Sequence, residues 1–270
     1  MRRRGVFAME AVGSAMVASI GIVAVLAPWL APHDPTIVSA PTFGAPGAPS
    51  FAFPMGTDQL GRDVLSRIIF GARISLVVGV TAMAVTLVIG AAIGLCAGFF
   101  GGAIDTILMR FTDLMLALPS LLLAMALVAV MRPSLLTILV AIGLVSWTTI
   151  ARVVRAETIA MGTRDFVLGA RALGAPPARV IGRHILPNVA PTIIVMSALG
   201  VSGTILLDAA LSFLGLGVPP PIPSWGRMVE EATIYFRTAP WLALFPGLAI
   251  FYAVLGFNLL GYGFLKRQAR

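Results

Sequence analysis

The stretch 164-RDFVLGARALGAPPARVIGRHILPN-188 is a polar hairpin set between two long apolar runs, and its reading decides what kind of membrane protein this chain forms. Asp165 is placed to cap a short helix whose apolar residues Phe166, Ala170 and Leu173 recur three and four apart, on one face. Gly174 follows as the C-terminal stop. Pro176 and Pro177 suit the first turn of a second helix. Val180, Ile181, His184 and Ile185 give that helix an apolar face of its own, and Pro187 is expected to end it. Apolar faces on a connecting loop have to be buried against something. The hairpin is therefore expected to meet a partner rather than merely join two membrane segments.

Working outward, the surroundings are those of an integral membrane protein. Hydrophobic residues make up 59% of the 270 and charged residues only 11%, against roughly 25% charged in soluble domains. The net charge of +8 does not point to nucleic acid, because most of the excess sits beside apolar runs. The single cysteine, Cys96, excludes an intramolecular disulfide and is expected to pack between helices.

Six apolar stretches are visible, near 9–31, 74–100, 104–131, 134–156, 189–214 and 240–265. Each exceeds the roughly 20 residues that cross a hydrocarbon core, and in lipid each must be helical. Gly90, Gly94, Pro119 and Gly200 fall inside them; small residues there let helices approach closely. The first stretch, behind Arg2, Arg3 and Arg4, is long for a signal peptide and reads as an uncleaved anchor. With the N-terminus inside, twelve basic residues fall on inner segments and six on outer ones, the direction expected of cytoplasmic loops. Both termini are then cytoplasmic. Trp29 and Trp241 fall at the outer interface and Tyr262 near the inner one.

Residues 32–55 read as an irregular external segment. The run 56-GTDQLGRDVLSRIIFGAR-73 reads as an interfacial amphipathic helix, with Val64, Leu65, Ile68 and Ile69 toward lipid or protein and Arg62, Asp63 and Arg67 toward water. Residues 217–239 form a second external loop, stiffened by Pro219, Pro220, Pro221 and Pro223. The division expected is 1–72, an anchor with external and interfacial segments, and 73–270, the transmembrane body with its cytoplasmic loop near 157–188.

Catalytic chemistry finds no foothold. There is no G-x-x-x-x-G-K-[ST] loop and no dinucleotide fingerprint, and no nucleophile–base pairing can be assembled. His33 and His184 fall on opposite sides of the membrane; His33 reads as a surface-loop residue and His184 as packed within the hairpin. Asp208 is the one polar residue whose place in a span is costly; it reads as either a pathway or gating residue or one half of a structural pair. Asn258 is expected to bond across a helix interface, and Asp113 to pair locally with Arg110. A self-contained secondary transporter or channel would need coupling-ion or filter residues in the spans, and Asp208 is the single candidate.

The hairpin resembles the "EAA" loop of ABC-type importer permeases. Leu168-Gly169-Ala170 stand where that family has Glu-Ala-Ala, so the carboxylate is absent here. Gly174 matches the family glycine, and Ile185-Leu186-Pro187 the closing motif. Two further runs, 56-GTDQLGRDVLSRIIFGARISL-76 and 211-LSFLGLGVPPPIPSWG-226, resemble the peptide/nickel permease group, its dipeptide-permease C-type subunit above all. So do 113-DLMLALPSLLLA-124 and Asn258-Leu259-Leu260-Gly261. The resemblance implies an all-α type I importer permease with six transmembrane helices. It implies a homologous second permease chain, two ATP-binding subunits or domains that hold the ATP and magnesium, and an external substrate-binding protein. Cargo would be di- or oligopeptides, with nickel or another small solute as the alternative. Coupling to the ATPase would rest on Asp165, Phe166, Ala170, Arg171, Leu173 and Gly174.

Overall fold

The computed structural model describes residues 2–40, 44–132 and 134–268, and for residues 2–8 and 268 the backbone alone. Their regular structure is helical. In chain order the helices are α1 (Arg2–Val25), α2 (Ala27–Leu30), α3 (Val64–Phe100), α4 (Gly102–Ala117), α5 (Ser120–Val130), α6 (Leu135–Ser146) and α7 (Thr148–Gly162). The hairpin follows as α8 (Asp165–Ala172) and α9 (Pro177–Val180), then α10 (Leu186–Phe213), α11 (Trp225–Ala232) and α12 (Trp241–Gln268). The charged side chains of Arg2, Arg3 and Arg4, on which the anchor reading leans, lie outside the described residues.

All six apolar stretches fall on helices, but they do not make six straight spans. Three helices are long and apolar enough to cross a bilayer singly: α3, the continuous rod Pro177–Phe213, and α12. Two further helix pairs, α4 with α5 bent by 88° and α6 with α7 bent by 44°, are apolar and long enough only when each pair is taken together, as a broken span or a re-entrant loop. The first break has a clear cause. Leu118 precedes Pro119 and is driven out of the helical region, to φ −93° and ψ 134°, because the proline ring crowds it. The apolar part of α1, Met9–Val25, is shorter than a full span.

Glycines set the tightest helix contacts. A Cβ at Gly90 would meet Ile150, at Gly94 Val154 and the Ala151 carbonyl, and at Gly98 Thr158. This i, i+4, i+8 stripe on α3 lets α7 lie directly on its backbone. Cys96, expected in a helix contact, is instead exposed; the glycine stripe does that packing on another face of α3. Gly13, Gly256 and Gly263 bring α1 against α12 in the same way.

The external run 56–73 departs from its sequence reading. There is no separate interfacial helix: Asp63 caps α3 itself, accepting from the Ser66 amide at 3.0 Å, and α3 continues unbroken to Phe100. Arg62, Asp63 and Arg67 do not face water; they are 5%, 0% and 1% exposed. Asp58 takes Arg62 Nε at 2.7 Å and Arg67 Nη1 at 2.9 Å. Glu231 on α11 takes Arg67 Nη2 at 2.8 Å, Arg62 Nη2 at 3.3 Å and Arg227 Nε at 3.2 Å. Buried charges persist only when paired, and here one partner, Asp58, is local and the other, Glu231, comes from the far end of the chain. His33 is likewise no free loop residue: its amide donates to Ser66 Oγ and its ring lies 3.4 Å from Asp63.

Two polar expectations in the spans are also corrected. Asp113 pairs with Arg152 of α7 rather than with Arg110, at 2.5 Å. With Arg155 on Asp105, it pins α4 against α7. Asn258 bonds within α12, its amide donating to the Val254 carbonyl at 2.8 Å, one turn back rather than across an interface.

Candidate functional site: an open groove on the hairpin and a cavity in the helix bundle

The hairpin folds as a compact unit because its local signals agree. Gly174 adopts φ +76°, a conformation that costs a residue with a Cβ about 1 kcal/mol or more. That turn lets the Ala175 amide reach the Ala170 carbonyl at 3.1 Å and the Gly174 amide the Arg171 carbonyl at 3.0 Å, closing the end of α8. Pro177 then starts α9. Two details differ from the sequence reading. The residue at the N-cap of α8 is Arg164, and Asp165 sits in the first turn without a capping bond, where its charge still suits the helix N-terminus. Pro187 does not end the second helix. The turn before it opens to a π-helix, Ile181–Ile185, with the Leu186 amide bonded to the Ile181 carbonyl. The wider turn accommodates the missing proline donor, and the rod continues to Phe213.

One face of the hairpin is fastened to the bundle. Val167, Val180, Ile185 and Val189 are fully buried. Arg171 stacks over the Phe99 ring at the end of α3, 4.8 Å from its centroid. The other face is open: Phe166 is 46% and Leu173 91% exposed. Between them runs a groove of about 510 Å³, lined by Phe166, Ala170, Leu173, Gly174, Arg179 and His184 among others. The Phe166 and His184 rings stand 6.4 Å apart. Of the six residues singled out from sequence, four line this groove. Asp165 lies at its margin on an exposed first turn, and Arg171 turns away to Phe99. His184, expected to pack within the hairpin, faces Phe166 across the groove; Arg179 was missed as a groove residue, and no local pattern announced it.

A second, larger cavity of about 720 Å³ lies within the bundle, bounded by α3, the end of α4, α5, α6, α7 and α10. Its polar lining is hydroxyl only: Thr86, Ser120, Ser146, Thr148, Thr149 and Thr204, with no charged side chain. Asp208 lies one turn beyond Thr204 on α10, is 2% exposed, and is not among the lining residues. Its Oδ1 and the Ser212 Oγ one turn further are both buried without a hydrogen-bond partner. Asp208 and the hairpin are not brought together: 23 residues of helix separate it from Ile185, about 35 Å.

Residues 90–270, which include the hairpin and the membrane rod that carries it, match the family described as the binding-protein-dependent transport system inner membrane component. The chain belongs to this family. Among its relatives, the dipeptide transport system permease protein DppC of Alkalihalophilus pseudofirmus is 42% identical over 252 residues, 93% of this chain and 82% of the relative. The di/tripeptide transport system permease protein DppC of Pseudomonas aeruginosa is 43% identical over 246 residues, 89% and 80% of the two chains. The glutathione transport system permease protein GsiD of Escherichia coli is 40% identical over 246 residues, 90% and 80%. This permease is thus a membrane transport component, and its groove-bearing hairpin lies within the matched region.

Proposed function

We propose that this permease is one half of the membrane pathway of an ATP-driven importer of di- or oligopeptides. A homologous second permease supplies the other half, two ATP-binding subunits or domains work on the cytoplasmic side, and an external binding protein delivers the peptide. ATP and magnesium belong to the partner subunits. Both termini and the hairpin then lie in the cytoplasm, and residues 32–72 and 217–238 outside. The peptide assignment is supported by the names of the relatives and by a bundle cavity within the roughly 300–1,000 Å³ range of small-ligand sites.

The observation that carries the reading is the exposed Phe166–Leu173 face on a hairpin whose opposite face is fully buried. A partner that grips that face moves the α9–α10 rod with it, because Val180, Ile185 and Val189 leave no slack. ATP binding would draw the hairpin and its rod together and open the bundle outward; hydrolysis would reverse the motion. Asp208, buried on the same rod beside the cavity-lining Thr204, is assigned to the pathway or its gate.

The test is the complex reconstituted in vesicles, with Phe166→Ala and Leu173→Glu in this chain. Both variants should insert normally, lose co-purifying ATPase, and import dipeptide slowly. Full uptake with normal ATPase stoichiometry in both would reduce the hairpin to a connector.

A further inference from the structure

A separate cleft of about 340 Å³ lies between the outer halves of α1 and α12, floored by α3 and α11. Its walls are almost wholly apolar: Ile20 and Val23 of α1, Ala72 of α3, Trp225 of α11, and Leu248 and Ala249 of α12. The two hydroxyls at its inner end are satisfied: Ser19 Oγ donates to the Met16 carbonyl at 2.7 Å and accepts from the Tyr252 hydroxyl at 3.1 Å. The Trp225 indole donates to the Ile68 carbonyl at 3.0 Å. No polar ligand is called for, and an apolar space of this kind does not hold water.

Two independent rulers place the cleft at acyl-chain depth. Trp29 is 78% exposed just beyond α1, as a residue at the membrane–water boundary should be. Ser19 and Val23 precede it by ten and six residues of sequence, about 9–15 Å deeper at the helical rise. Trp241 opens α12, and Phe245 to Tyr252 lie four to eleven residues past it, about 6–17 Å deeper. Both ranges run from the boundary to about the middle of a core about 30 Å thick. The rim is continuous with lipid-facing surface: Ile22, Leu244, Leu248 and Phe251 are each more than half exposed.

The cleft is a narrow slot, about 340 Å³ drawn out along the roughly 10 Å of α12 between Phe245 and Tyr252, the form of an extended hydrocarbon chain. We propose that this cleft is a lipid site, holding one acyl chain of a membrane phospholipid from the leaflet on the Trp29 side. The chain fills the gap left where α1 and α12 part beyond their glycine contacts, and it rests against Trp225, so it abuts α11.

The experiment uses the assembled transporter in vesicles of phosphatidylethanolamine and phosphatidylglycerol. The probe is a phosphatidylethanolamine with a diazirine midway along one acyl chain. After photolysis, adducts on this chain are mapped by peptide mass spectrometry. Labelling is expected at Ala72 and Ile68 on the cleft floor as well as at the outward Leu244 and Phe251. Ala249→Phe, which fills the cleft, should cut the floor labelling by about tenfold and leave Leu244 and Phe251 labelled. Ala72→Leu gives a second filled cleft should the first variant assemble poorly. Labelling confined to Leu244 and Phe251 in the unaltered protein would overturn the proposal. So would floor labelling that survives the filling variants, or the absence of any adduct on α1 and α12, which would mean that a partner subunit covers them.

Discussion

Arg67 Nη2 lies 2.8 Å from Glu231 Oε2 and joins the first turn of α3 to α11 across 164 residues of sequence. The contact is buried, with the arginine side chain 2% exposed. Breaking a buried pair costs about 3–5 kcal/mol where the other charge is left uncompensated; here Glu231 keeps Arg62 and Arg227 and Asp58 keeps Arg62, so the cost falls at or below the lower end of that range. Arg67→Ala should therefore lower the thermal stability of the purified complex markedly. Arg152→Ala, which breaks a pair about half exposed on both sides, should cost less than about 1 kcal/mol. Equal melting shifts in the two variants would contradict the burial argument.

Gly174→Val tests the hairpin turn. A β-branched residue at φ +76° is strained by about 1–2 kcal/mol or more and redirects the following residues. No membrane-facing residue changes, so insertion should be normal. Uptake should fall, with ATP hydrolysis continuing uncoupled from it. The measurement is substrate-stimulated ATPase activity beside dipeptide uptake in vesicles.

Gly94→Leu tests the α3–α7 contact. The new side chain would run into Val154 and the Ala151 carbonyl, and overpacking of this kind costs about 1–3 kcal/mol. The expected result is a lower yield of assembled complex and a lower melting temperature. Gly162→Leu serves as the control, since a Cβ there meets nothing within 4 Å.

Asp208→Asn separates structural from transport roles. The amide keeps the size and removes a charge whose Oδ1 has no partner. Neutralising a buried, unpaired carboxylate relieves its desolvation cost. The variant should keep or raise the melting temperature while importing dipeptide several-fold more slowly. Unchanged uptake would take Asp208 out of the pathway.

How far the sequence could be read depended on how local the deciding interactions are. The hairpin was legible because glycine, proline and apolar spacing act within a few residues, as Gly174 and Pro177 show. Its N-cap was misassigned by one residue, and Pro187 did not break the rod because a π-turn, which no residue pattern announced, absorbed it. The helices of all six stretches were legible from apolar length, but only three of them cross singly, and the break at Leu118–Pro119 bent another by 88°. The external charges were misread for a different reason. Arg62 and Arg67 alternate with apolar residues much as an interfacial helix would have them, and their burial is made tolerable by Asp58 together with Glu231, which is distant in sequence. Asp113 likewise found Arg152 on another helix before its neighbour Arg110. Within the candidate site, the apolar face was visible in Phe166 and Leu173, while the groove's other wall, Arg179 and His184, depended on how the two helices fold onto each other.

The length of α3 has a mechanical consequence. Its 37 residues contain no proline and make a rod roughly 55 Å long, longer than the hydrocarbon core it crosses. One end, at Phe99, lies under Arg171 of the hairpin; the other, at Arg67, is locked to α11. Such a rod acts as a lever. Pivoting about one end, a tilt of about 10° sweeps the other through roughly 10 Å at this length, so a small change of angle set at the groove end becomes a large displacement at the opposite surface.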